Sequence, residues 1–282
     1  METARWSETV NDYYPVFPRP RWGHGQAAHP GLKAVLDRSR ASYQAVLAKI
    51  SANRAALHAV PYAHDPAILG PYWNNAVFSC LDAAALVHFL LDRRPRHYLE
   101  IGSGYSTLFA RHAIRWGNLN TTITSLDPQP RTQIDSLCND VVRESLENCD
   151  LNIFETLLPG DILFFDGSHR VFTNSDVTVF FLDILPRLRP GVLVHVHDIF
   201  LPCDYPPEWN NRLYSEQYMI AAMLLCPAPR FRVVLPNYFV CTDVALGQEV
   251  KYIFRSEGGT DIPFIYKTDT PCPGVSFWFE MV

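Results

Sequence analysis

"HYLEIGSGYSTLFARH", residues 97–112, runs from a short apolar stretch through two glycines into a segment with helical spacing. It reads as a buried strand that breaks at a glycine turn and restarts as a helix. Gly102 and Gly104 remove Cβ atoms that would keep a ligand away from the turn's backbone amides. A pyrophosphate, a phosphate and the amino-acid end of a sulfonium cofactor all suit such a turn, so the surrounding chain has to decide among them.

Outward from this stretch the pattern alternates. Further strands are expected at "TTITSLD" from Thr121, "DILFFD" from Asp161, "GVLVHVHD" from Gly191, "FRVVL" from Phe231 and the aromatic "GVSFWFEMV" at the C-terminus, which could pair along the far side of the sheet. Helical spacing appears from Leu32 to Ile50, and again where Phe78, Leu81, Ala85 and Phe89 share a face before "RRP" at Arg93–Pro95. It returns from Asp176 to Leu185, with Thr173 and Asp176 spaced as a capping box. Short continuous apolar strands separated by helices predict an α/β fold whose parallel sheet is covered on both faces.

Bulk properties narrow the function. The chain has 282 residues, 48% of them hydrophobic, enough for one large domain with an N-terminal extension. A net charge of −5 without any run of Lys or Arg argues against a nucleic-acid partner. "METARWSETVNDYYP" has no apolar leader core and no later run approaches the roughly 18 apolar residues of a membrane span, so a cytoplasmic protein without membrane attachment is expected. The cysteines at 80, 138, 149, 203, 226, 241 and 272 are widely spaced and read as reduced structural thiols. A homo-oligomer is compatible with all of this.

The glycine turn lacks a dinucleotide fingerprint, because Thr107 stands where the third glycine belongs, and it lacks the Gly-Lys-Ser/Thr of a phosphate loop. Glu100, two residues before Gly102, would repel a pyrophosphate but suit an ammonium group, and Asp127 closes the next strand where a carboxylate can take ribose hydroxyls. An acid for an amine, amides for a carboxylate and an acid for a ribose describe S-adenosylmethionine better than NAD.

At these residues the chain resembles the class I S-adenosylmethionine-dependent methyltransferases, from about Asn74 to the C-terminus. The resemblance implies a Rossmann-like, seven-stranded, mostly parallel sheet with its last strand antiparallel over residues 74–282, preceded by a helical extension over 1–73. It also implies a cofactor set of Glu100, Gly102, Ser103, Gly104, Ser106, Thr107, Asp127 and Asp166.

A second constellation lies downstream. "FFDGSH" places His169 three residues after Asp166, and "HVHDIF" carries His197 and Asp198. If these strands are neighbours, the groups converge at the cofactor's edge of the sheet. Oxygen ligands with an imidazole suit Mg²⁺ or another divalent ion. The pattern resembles the metal-dependent O-methyltransferases of natural products, which implies Asp166, His197 and Asp198 as metal ligands and His169 as general base, with a small hydroxylated molecule as substrate; relatives with this motif often carry Glu where His197 stands. The plainer readings are a turn ordered by Asp166 and a surface His169, and His195 among its valines reads as structural. "PYWNN" and "LPCDYPPEWNNRLYSEQY" nominate Tyr72, Trp73, Tyr205, Trp209, Glu216 and Tyr218 as acceptor contacts. Competing functions are a catalytically inactive S-adenosylmethionine-binding scaffold and an NAD-dependent oxidoreductase.

Overall fold

The computed structural model describes residues 17–75, 77–78, 80–130, 132–256, 261–262 and 274–282; the opening fifteen residues and Cys272 read above lie outside them. The strands are β1 (His97–Ile101), β2 (Thr122–Leu126), β3 (Asp140–Val142), β4 (Ile162–Phe165), β5 (Leu193–Val196), β6 (Phe231–Pro236) and β7 (Phe277–Met281). They form one seven-stranded sheet in the order β3-β2-β1-β4-β5-β7-β6. The first five are parallel, and β7 is antiparallel to both its neighbours. Every position of β1, β4 and β5 is buried, which is why these strands read as continuous apolar runs rather than alternating ones.

One strand expectation changes and one strand is new. The aromatic C-terminal strand lies between β5 and β6 instead of along the sheet's far side, and Phe277, Trp278 and Phe279 are buried within the core. The short, largely exposed β3 has no apolar run to announce it.

From β1 the chain leaves through α5 (Tyr105–Trp116) toward β2 and β3, then returns to build β4 and β5 on the other side of β1. Right-handed crossovers taken in opposite directions place helices on opposite faces. The loops after β1 and β4 therefore diverge and leave a crevice at the carboxyl edge.

The helix expected from Leu32 to Ile50 is two: α1 (Pro30–Asp37) and α2 (Arg40–Ala52), separated where Ser39 leaves helical dihedrals at φ −106°, ψ 16°. Arg40 then reaches both carboxylate oxygens of Asp243 at 2.8 Å, across the molecule. Leu36, Tyr43, Leu47 and Ile50 join the same core as the sheet, so these helices are packed onto the fold rather than built around a core of their own.

The helix predicted from Asp176 begins as α7 (Asp176–Val179) and continues as a π turn over Phe180–Ile184 and a tighter turn over Leu185–Arg187. Its cap is Ser175, not the predicted Thr173: Ser175 Oγ accepts the Thr178 amide, while the Asp176 carboxylate takes the Ser168 amide and hydroxyl from the loop after β4. Among the described residues no helix is long and apolar enough to cross a membrane.

Candidate active site

Strand register brings the expected residues to one edge. Ile101 pairs with Leu126 and with Phe165, and Phe165 pairs with Val196. The next residue in each strand is then Gly102, Asp127, Asp166 or His197. A cavity of about 840 Å³ opens there, lined by Gly104, Asp127, Asp166, His169, Asp198 and Trp209 among others.

The two glycines do different work. Gly102 has φ +78°, and a Cβ on it would collide with the Asp166 carbonyl oxygen, so it lets the end of β1 pass the end of β4. A Cβ on Gly104 would meet no protein atom within 4 Å, and this residue faces the cavity. Asp127 orders the floor: Oδ2 accepts the Ser103 amide at 2.8 Å and Oδ1 the Gln129 amide at 2.7 Å.

Glu100 and Thr107, expected on the cofactor, stand behind the loop instead of on the cavity wall. Glu100 is fully buried and accepts the Tyr98 hydroxyl at 2.8 Å and the Thr107 hydroxyl; Thr107 in turn accepts the Gly104 amide at 3.0 Å. Burial pushes the Glu100 carboxyl up to about 7, with its hydroxyl donors opposing the shift. Its part is to set the conformation of the glycine turn. Ser103, Gly104 and Ser106 do line the cavity.

The second constellation converges as the spacing implied, with one rearrangement. Asp166, His169 and Asp198 offer ligand atoms that all lie within 4.8 Å of one another. His169 Nε2 is 3.3 Å from Asp166 Oδ1 and 3.5 Å from Asp198 Oδ2. His197, named as a ligand in place of His169, joins through Nδ1, 3.6 Å from Asp166 Oδ1 and 3.4 Å from Asp198 Oδ1. These separations are long for hydrogen bonds. They are close to the roughly 3.0–3.4 Å between two ligands bound to one ion at about 2.1 Å.

Each ring is held from behind. His169 Nδ1 is bonded to Glu216, which is fully buried, and His197 Nε2 lies 3.4 Å from Asp82 Oδ2. Asp82, near the start of α4 (Cys80–Arg93), also accepts the Ser276 amide at 2.7 Å, the Val275 amide at 2.9 Å and Asn237 Nδ2 at 2.8 Å. Burial opposes charge on His169, yet the Glu216 carboxylate and the nearby Asp166 carboxylate hold its pKa well above the usual imidazole range. Burial likewise opposes charge on Asp166, and the neighbouring His197 and His169 rings keep it well below the usual carboxylate range. His169 and Asp198 both adopt left-handed backbone, φ 63° and 57°, which costs about 1–2 kcal/mol each and concentrates at functional sites.

Of the acceptor candidates, only Trp209 lines the cavity. Trp73 is a core residue, packed on Phe109 and Phe254 with its indole nitrogen donating to the Leu57 carbonyl. Tyr72 bonds the Tyr105 hydroxyl, Tyr205 is buried in an aromatic cluster, and Tyr218 donates to Asp204. Glu216 serves His169. Two wall residues absent from the candidates are Arg212, whose guanidinium lies 3.9 Å over the Trp209 ring, and Tyr214, whose ring centre is 4.4 Å from that of His169. The Ser215 and Glu216 amides donate to the His169 carbonyl, so this wall and the Asp-Gly-Ser-His loop form one unit. His195 is structural: it stacks on Phe164 at 3.8 Å and shares a hydrogen bond with Ser276 Oγ.

Residues 99–199 match the Methyltransf_24 family, described as a methyltransferase domain. The match covers about a third of the chain and runs from within β1 to just beyond β5. An uncharacterised protein of Archaeoglobus fulgidus is 36% identical over 92 residues, 30% of this chain and 42% of that one, so the match spans less than half of that relative. Among solved structures, an SAH-bound methyltransferase of Podospora anserina aligns over 74% of this chain and 93% of its own at 18% identity, TM-score 0.40. An O-methyltransferase of Bacillus cereus in complex with SAH covers 67% and 82% at 18% identity, TM-score 0.37. MycE from the mycinamycin biosynthetic pathway, in complex with Mg and SAH, covers 48% and 38% at 19% identity, TM-score 0.32.

Proposed function

We propose that the protein transfers a methyl group from S-adenosylmethionine to a hydroxyl of a small metabolite, with Asp166, His197 and Asp198 holding a divalent ion and His169 acting as base. The observation that carries this reading is the convergence of two carboxylates and two acid-backed histidines on the cavity that the glycine turn also lines.

The residues on the cofactor side divide the work. Ser103, Gly104 and Ser106 line the cavity, where a ligand can approach the Gly104 backbone closely, and Asp127 stands at the end of β2 for ribose hydroxyls. When bound, S-adenosylmethionine supplies an electrophilic methyl group and needs only an aligned, deprotonated oxygen opposite it.

An aliphatic alcohol is a poor nucleophile at neutral pH, so the chain must lower the cost of removing its proton. A divalent ion among Asp166, His197 and Asp198 would supply charge that polarises the hydroxyl and offsets the carboxylates now holding the His169 proton. Glu216 fixes the His169 tautomer by accepting from Nδ1, which leaves Nε2, pointed at Asp166 and Asp198, to take the hydroxyl proton. Trp209, Arg212 and Tyr214 form the wall against which the acceptor lies.

The test is a methyl-transfer screen against hydroxylated metabolites, run on chelated protein and on the same protein resupplied with divalent metal. The reading expects turnover that chelation abolishes and metal restores. Full activity after exhaustive chelation, confirmed by elemental analysis, would remove the ion from the mechanism.

A further inference from the structure

A site of Asp and Glu oxygens suits a hard ion such as Mg²⁺, whereas an imidazole shifts preference toward Mn²⁺, Fe²⁺ and Co²⁺. His197 is 2% exposed, and its Nδ1 faces both Asp166 and Asp198. Behind it lies a support that an oxygen ligand would not need. Asp82 sits 3.4 Å from Nε2 and is itself fixed by the Val275 and Ser276 amides and by Asn237. A carboxylate beside the far nitrogen of an imidazole favours the tautomer protonated there, orients the ring and raises its basicity as a ligand. This arrangement commits Nδ1 to the cavity, with the ring held by α4, by β5 and by the segment entering β7.

We propose that the Asp82–His197 pair makes this a centre for a nitrogen-accepting divalent transition ion, Mn²⁺, Fe²⁺ or Co²⁺, in preference to Mg²⁺. Asp82 is a positioning residue that acts through His197. The inference rests on the metal reading above and goes beyond it by assigning the class of ion and the residue that selects it. Glu216 gives His169 a parallel support, but His169 adjoins the acceptor wall through Tyr214, whereas the His197 ring packs 5.5 Å from Phe78 on the interior side. His197 is therefore the one placed as a permanent ligand.

The experiment reads metal binding directly, without turnover. Chelated full-length protein is titrated with Mg²⁺ and with Co²⁺, and Mn²⁺-loaded protein is examined by electron spin-echo spectroscopy for modulation from a coordinated imidazole nitrogen. Because any site favours Co²⁺ to some degree, the decisive quantity is how the Co²⁺/Mg²⁺ affinity ratio changes with substitution. The proposal expects nitrogen modulation that survives in His169→Ala and disappears in His197→Glu. It expects His197→Glu to lower the ratio at least tenfold, and Asp82→Asn to weaken Co²⁺ binding by about 10–100-fold. S-Adenosylhomocysteine titration of each variant checks that it is folded, and His197→Gln stands in if Asp82→Asn is not. Nitrogen modulation absent from the wild type, with an unchanged ratio in His197→Glu, would overturn the selectivity while leaving a metal in place. If neither ion binds to protein that still takes up S-adenosylhomocysteine, the metal reading falls and this inference falls with it.

Discussion

His197 Nε2 lies 3.4 Å from Asp82 Oδ2 while Nδ1 of the same ring lies 3.4 Å from Asp198 Oδ1, so one imidazole links a carboxylate in α4 to the carboxyl edge of the sheet. His169 repeats the pattern between Glu216 and Asp166. Rings supported in this way are set before any ligand arrives, and each support can be removed separately.

The proposed base gives the sharpest kinetic contrast. His169→Ala should keep its cofactor and metal affinities but lose about 10²–10⁴ in single-turnover rate, with partial recovery at high pH where hydroxide can take the proton. Near-normal single-turnover rates in folded, metal-loaded protein would assign proton removal elsewhere.

The two glycines of the turn should fail in opposite ways. Gly102→Ala forces a Cβ toward the Asp166 carbonyl at φ +78° and should cost more than about 2 kcal/mol in denaturant unfolding. Gly104→Val meets open space, so its unfolding midpoint should barely move while its cofactor affinity falls. Equal stability of the two variants would contradict the distinction.

Glu100 predicts a pH dependence with a definite sign. Burial raises its folded-state pKa from 4.5 to about 7, so between those values the native protein holds a proton that the unfolded chain has released. The stabilisation is complete below pH 4.5 and is lost as pH rises through about 7, a change on the order of 3 kcal/mol. Glutamine mimics the protonated acid, so the stability of wild type minus Glu100→Gln should fall across this window and level off above it. Glu216 titrates in the same region but is common to both proteins and cancels. A flat difference from pH 4.5 to 8, measured by urea unfolding, would refute the assignment.

Arg212 and Trp209 should matter for the acceptor and not for the cofactor. Arg212→Ala removes a cation stacked on the indole, and it should raise KM for an accepted substrate several-fold while leaving S-adenosylhomocysteine affinity unchanged. A fall in cofactor affinity of the same size would place Arg212 on the other side of the cavity.

Much of this was legible because strands and turns are written locally. The apolar runs ending in Glu100, Asp127, Asp166 and Asp198 mark the sheet's carboxyl edge, and parallel register does the rest. What local reading missed depends on contacts across the fold. Glu100 looks like a ligand from its spacing, but Tyr98 and Thr107 turn its carboxylate inward. Trp73 and Tyr205 are aromatic enough for a pocket, and only packing shows that they fill the core. Asp82 left one faint sign, a lone carboxylate in the apolar stretch "CLDAAALVHFLL", where a buried charge requires partners. Those partners, Val275, Ser276 and Asn237, lie more than 150 positions away and could not be anticipated.

The central claim, that the cavity at this edge is an S-adenosylmethionine site, is tested most directly by calorimetric titration of the wild type, Gly104→Val and Asp127→Ala with S-adenosylhomocysteine and with NAD. The account predicts that the wild type binds S-adenosylhomocysteine one to one and shows no heat with NAD. It predicts that both folded variants lose affinity, with the ribose hydrogen bonds of Asp127 alone contributing about 1–3 kcal/mol. Binding of NAD, or S-adenosylhomocysteine affinity unchanged in both variants, would contradict it.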